Sequence, residues 1–316
     1  MPLHPQAQMI IDGWASMGLP PFETLSLEES RQVIESVRNF MVPVEDVVSV
    51  EDFAIPGPQG DIGLRMYRPE GEGLLPAVFY FHGGGFCTGS VDLVDPICRL
   101  LANRSGCVVI SLDYRLAPEH PYPAAVTDAY VAVSWVGAVG DNFGVDPGKL
   151  AVVGDSARAT VATAACMLIR DKGLGEPEIK VQMLLCPVTD LVKFETPSYQ
   201  EFGEGYPLTT AMMQAWKGHY LTGAEEGTEY EPYCSPVREQ NLTHLPPAII
   251  ITAEYDVLRD EGEAYGQLLF LNDVMAEVRR EPGMIHNFFW FGSVIDRGRE
   301  ILEEVASDLR KTLFIG

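Results

Sequence analysis

The stretch LAVVGDSARAT, residues 150–160, runs four apolar residues into Gly154, Asp155 and Ser156, then resumes with small residues around one arginine. It reads as a buried strand, a sharp turn and a buried helix, the setting in which a G-x-S-x-G sequence exposes a nucleophilic serine. The last glycine of that sequence is here Arg158. Taken alone, Ser156 reads equally as a helix N-cap, so its meaning depends on what the rest of the chain supplies.

Working outward, short apolar segments alternate with longer helical ones. Strands are predicted at 47–55, 62–69, 76–82, 107–114, 150–155, 180–188, 247–255 and 276–282. The first two alternate as half-exposed antiparallel strands do. Those from 76 onward are mostly continuous apolar runs, as expected of strands buried on both faces. Helices are predicted at 92–104, 124–139, 157–171, 261–272 and 295–313. This alternation implies an α/β fold, a mostly parallel sheet with helices on both faces and chemistry at the carboxyl ends of the strands. Residues 1–45 and the excursion at about 189–232 fall outside the alternation. The second is rich in aromatics and methionine, and both are read as cap over the site. The division is then an N-terminal cap segment, 1–45, and a catalytic domain, 46–316, carrying the second cap piece.

The formal net charge of −23 in 316 residues argues against nucleic acid or an anionic membrane surface as partner, since phosphate binding needs Lys and Arg. Six scattered cysteines sit largely in apolar runs, with neither C-x-x-C nor zinc spacing; they read as buried hydrophobes of a reducing compartment. With no signal peptide and no apolar run long enough to span a membrane, the expected location is the cytoplasm. A homodimer through an edge strand or the cap is compatible with the sequence.

Three further segments give Ser156 a context. YFHGGGF places three glycines after the strand at 76–82, and such a turn aims backbone N–H groups at a developing oxyanion. The donors expected are Gly83, Gly84 and Ala157. GMIHNFFW places His286 after the last strand, where a neutral imidazole can take the serine proton. AEYDVLRDEGE offers Glu254, Asp256 and Asp260 as the orienting acid. Asp260 with Glu263 resembles a helix start, an aspartate version of the capping box. Asp256, just beyond its strand, is chosen, giving the order Ser, Asp, His. In the excursion, Phe202, Tyr206, Met212, Met213 and Trp216 are the expected apolar substrate pocket.

Together FHGGGF, DYRLAPEHPYPAA (113–125), VVGDSA, AEYDVLRDEG and IHNF resemble the hormone-sensitive-lipase-like family of α/β-hydrolase carboxylesterases, over nearly the whole chain. The resemblance implies an α/β-hydrolase fold: an eight-stranded sheet with only the second strand antiparallel, and a helical cap. It implies hydrolysis of short-to-medium acyl esters without cofactor or metal. It also implies that Ser156, Asp256 and His286 are the triad and that 113–125 is a structural brace.

The chain departs from the family's G-D-S-A-G-G at Arg158 and Ala159. Three outcomes are open for Arg158: it passes the elbow and pairs with an acid, it trims the acyl pocket, or it disables the chemistry and leaves a ligand-binding protein. A surviving fold with reduced or redirected esterase activity is the favoured expectation. Asn287 replaces the family's glycine after the histidine, and asparagine tolerates positive φ best among non-glycine residues.

Overall fold

In the computed structural model, which describes residues 1–173 and 175–315, the chain opens with helices α1 (Pro5–Ser16) and α2 (Leu27–Ser36). The hairpin β1 (Ser49–Gly57) and β2 (Gly60–Arg68) follows, then β3 (Leu75–Phe81), α3 (Asp95–Ser105), β4 (Val108–Asp113) and α4 (Ala124–Val139). Next come β5 (Val145–Asp155), α5 (Ala157–Lys172) and β6 (Ile179–Leu185). Helices α6 (Pro197–Phe202) and α7 (Thr210–Tyr220) lie in the excursion. The chain ends with β7 (Ala248–Tyr255), α8 (Arg259–Leu271), β8 (Ala276–Ile285) and α9 (Asp296–Arg310).

The strands form one eight-stranded sheet, among the described residues, in the order β1-β2-β4-β3-β5-β6-β7-β8. Only β2 is reversed; it pairs antiparallel with β1 and β4, and every later pairing is parallel. Alternation divides the core into two layers. Ala77, Phe79 and Phe81 of β3 face the layer built with α4 and α5, whereas Val78 and Tyr80 face the layer built with α3 and α9. Every residue of β3 is buried, which is why its sequence shows no polar face. The small residues of α5, among them Ala159, Ala162 and Ala165, let that helix lie close beneath the sheet, and nearly all of it is buried.

The aspartate capping box expected at Asp260 and Glu263 is not the start of α8. Asp256 Oδ1 accepts the Leu258 N–H at 3.0 Å, and the helix begins at Arg259. Asp260 instead accepts the Ser198 N–H, and Glu263 is engaged by Thr252 and Arg280.

Candidate active site

Three strand ends border one cavity, β3 leading to Gly84 and Gly85, β5 to Ser156 and β8 to His286, and β7 leads to Asp256 on the other side of the His286 ring. At the end of β5, Ser156 takes φ 54° and ψ −128°, outside the regions most side chains occupy, and α5 begins at the next residue. The turn is fixed by backbone bonds. Ser156 N–H donates to Leu185 C=O at 2.8 Å, and Ser156 C=O accepts from Ala159 at 3.1 Å and Val188 at 3.0 Å.

Ser156 Oγ lies 3.0 Å from His286 Nε2, and His286 Nδ1 lies 2.7 Å from Asp256 Oδ2. Glu254 accepts the Gly283 N–H, so of the three candidate acids only Asp256 reaches the ring. Asn287 adopts φ 49° and ψ 36°, the left-handed conformation expected where a glycine would otherwise stand. Cys186, Asp256 and His286 place potential metal donors within 4.8 Å of one another. Burial and then the Asp256 charge push the Cys186 thiol well above its usual range, and the other two are paired with each other. The set fits an aspartate-held histidine serving a serine better than a metal site.

The oxyanion assignment needs one correction. Gly83 N–H donates to Asp155 Oδ1 at 2.8 Å, so it is committed to the buried carboxylate and cannot serve a substrate. Gly84 and Gly85 line the cavity, and among the described residues neither N–H meets a protein acceptor. Ala157 is the first residue of α5, where an N–H has no intrahelical acceptor. Gly85 went unassigned in the sequence because three adjacent glycines carry no mark of which N–H turns inward.

Asp155 organises the neighbourhood. Besides Gly83, its carboxylate accepts Trp290 Nε1–H at 2.9 Å and Asn287 Nδ2–H at 3.4 Å. Burial raises its pKa to about 7, against the pull of those donors. His82 is buried beneath the glycine turn, its Nδ1 lying 2.7 Å from Tyr114 Oη. Burial, reinforced by the Arg158 cation, lowers its pKa to about 3, which keeps it neutral.

The cavity is lined mostly by apolar side chains. Of the five expected pocket residues, Met212 and Trp216 line it and three do not. Met213 is turned into the core, 2 % exposed. Phe202 packs on Tyr206 and Tyr255, and Tyr206 lines a separate outer hollow. Residues the sequence reading missed complete the wall: Trp14, Ile34 and Val37 from the N-terminal segment, and Trp290 and Phe291 after the histidine. Ile34, near the end of α2, and Val37, in the short turn that follows it, carried a signal, an i, i+3 apolar pair.

Arg158 is fully buried. It pairs with no carboxylate among the described residues, contrary to the first of its three readings, and does not line the cavity, contrary to the second. Its guanidinium carbon sits 3.9 Å from the Tyr114 ring centroid and 5.4 Å from that of Phe86, and Nη2 donates to Phe86 C=O at 3.0 Å.

A family model described as alpha/beta hydrolase fold matches residues 78–290. Esterase LipI of Mycobacterium tuberculosis is 38 % identical over 301 residues, 93 % of this chain and 92 % of LipI. Carboxylic ester hydrolase LipN of the same organism is 41 % identical over 76 % of this chain, a match spanning 64 % of LipN. Among solved structures, a hyperthermophilic esterase from the archaeon Pyrobaculum calidifontis is 41 % identical with a TM-score of 0.91, covering 98 % of this chain and 99 % of that one. A thermostable esterase from Pseudomonas putida is 34 % identical with a TM-score of 0.92, over 99 % and 98 %.

Proposed function

This chain belongs to the hormone-sensitive-lipase-like family of alpha/beta hydrolase fold esterases, and we propose that Ser156, His286 and Asp256 are the groups with which it hydrolyses carboxylic esters. The observation that carries the assignment is the unbroken relay from Ser156 Oγ through His286 to Asp256, at 3.0 and 2.7 Å.

Ser156 Oγ attacks the ester carbonyl carbon while His286 Nε2 takes its proton. Asp256 holds the ring and stabilises the imidazolium. The tetrahedral oxyanion accepts hydrogen bonds from Gly84, Gly85 and Ala157 N–H groups, donors fixed before the charge develops. Collapse breaks the bond to the alcohol, which leaves with the proton from His286 Nε2. Water then attacks the acyl-enzyme with His286 as base and releases the carboxylic acid. The apolar lining beside Ser156, with Leu208, Met212, Trp216 and Phe291 around it, supports short-to-medium acyl groups. No part of this sequence calls on a cofactor.

Residues 1–45 and 189–232 act as one cap over a catalytic domain of 46–316. Trp14 from the first and Trp216 from the second border the same cavity, and Phe22 meets Trp216 edge-on at 5.7 Å. Six free, buried cysteines support a reducing, cytoplasmic setting. Among the described residues no helix is long and apolar enough to cross a membrane. The end position of β8 in the sheet, with exposed Met275 just before it and exposed Val278 on it, supports a homodimer through that edge.

A fluorophosphonate probe tests the assignment, because it labels only an activated serine. The expected result is one covalent adduct on the unaltered chain, absent in Ser156→Ala and strongly slowed in His286→Ala. Equal labelling of all three proteins would refute it.

A further inference from the structure

Arg158 is an expensive residue where it stands. Among the described residues its Nε and Nη1 are buried without partners, and a buried cation is generally less stabilising than an apolar side chain of similar size. A packing role alone would favour methionine or leucine. The donor it does use reaches a particular atom, the carbonyl of Phe86, which closes the glycine turn.

Phe86 has φ 67°, a conformation that a bulky residue holds only when its surroundings fix it. Its carbonyl accepts two donors, Ala117 N–H at 3.1 Å and Arg158 Nη2–H at 3.0 Å. Its ring is stacked on Tyr220 at 3.7 Å. The Arg158 guanidinium also lies on Tyr114, whose hydroxyl donates to His82 C=O at the other end of the same turn. Arg158 thus touches the loop of Gly84 and Gly85 near its end and, through Tyr114, near its start. Its own backbone stands one residue beyond Ala157, the third oxyanion donor.

We propose that Arg158 is a positioning residue, which locks the glycine turn to the first turn of α5 and so keeps the two arms of the oxyanion hole in register. The proposal rests on the assignment of Ser156 as nucleophile and of Gly84, Gly85 and Ala157 as oxyanion donors. The arginine in the elbow is then a working part, and the third reading, a disabled site, gives way to a differently braced one. Loss of the brace displaces donors rather than deleting one. Its effect should therefore fall below the ~10²–10³-fold loss typical of a removed oxyanion donor. Since bound ester makes its short hydrogen bonds to these donors chiefly in the transition state, the loss appears in kcat rather than KM.

The test compares the unaltered chain, Arg158→Met and Arg158→Lys on p-nitrophenyl butyrate, with Ser156→Ala as blank and rates normalised to titrated active sites. Arg158→Met keeps the length and removes the donor and the charge. Expected are a kcat lowered about 10- to 100-fold, a KM within about 2-fold, and a Tm unchanged or raised. Arg158→Lys, which retains a cationic donor, should recover part of kcat. An Arg158→Met protein with undiminished kcat per titrated site would overturn the proposal, whatever its Tm. So would an Arg158→Lys protein no better than Arg158→Met. An unaltered chain no faster than Ser156→Ala would instead reject the nucleophile assignment itself, and the proposal with it.

Discussion

A Cβ on Gly154 would lie 2.6 Å from the Arg158 carbonyl oxygen and 2.8 Å from Ala159 Cα, backbone atoms of the helix that the turn begins. Gly154→Ala must therefore move α5. A destabilisation of about 1–3 kcal/mol is expected in denaturant unfolding, with activity falling alongside. The arginine at 158, by contrast, runs between aromatic faces and leaves the serine–histidine contact at 3.0 Å. Asp155 gives a second residue-scale prediction. Its carboxyl is raised from 3.8 to about 7 in the fold, so between those values the folded protein holds a proton that the unfolded chain has lost. Its contribution to stability is greatest below about pH 4, declines as pH rises to about 7 and is flat above. Relative to Asp155→Asn, the Tm of the unaltered chain should fall across that interval. The variant should also lose activity at every pH, because an amide nitrogen then faces either Gly83 N–H or Trp290 N–H. A pH-independent difference in Tm would contradict the assignment.

Elements were the most legible level of the sequence. All eight strands and the five core helices lie where apolar runs and 3.6-residue spacing put them, because strands such as β3 are buried on both faces and leave an unambiguous apolar run. The triad candidates and the glycine turn were legible too, since each follows directly on a strand end. Less legible was which side of α7 faces the cavity. Met212 and Met213 are adjacent, yet one helical step of about 100° sends the first to the cavity and the second to the core. Residue type could not separate them. Nor could the sequence assign Gly83, whose N–H is taken by a carboxylate two residues past the end of its neighbour strand's apolar run. The wall from α7 yields a prediction of its own. Met212→Ala enlarges the cavity at its apolar side and should move the preferred p-nitrophenyl ester towards longer acyl chains. An unchanged chain-length profile would place the acyl group elsewhere.

At the scale of the molecule, residues separated by 130 positions in sequence, Ser156 and His286, meet because parallel strands deliver their carboxyl ends to one crevice. The charge of −23 acts on the whole fold through self-repulsion. Tm should therefore rise as NaCl goes from about 0.02 M to about 0.5 M, a range over which screening shortens from tens of ångströms to a few. A falling Tm would mean that ion pairs outweigh the net charge. The central claim, that this fold is a working serine esterase with an arginine in its elbow, is tested most directly by one comparison. Hydrolysis of p-nitrophenyl esters from acetate to decanoate is measured with the unaltered chain and with Ser156→Ala. The account predicts that the unaltered chain exceeds the variant by at least about 10³-fold on short esters, with rates declining towards decanoate. Equal rates from the two proteins would contradict it.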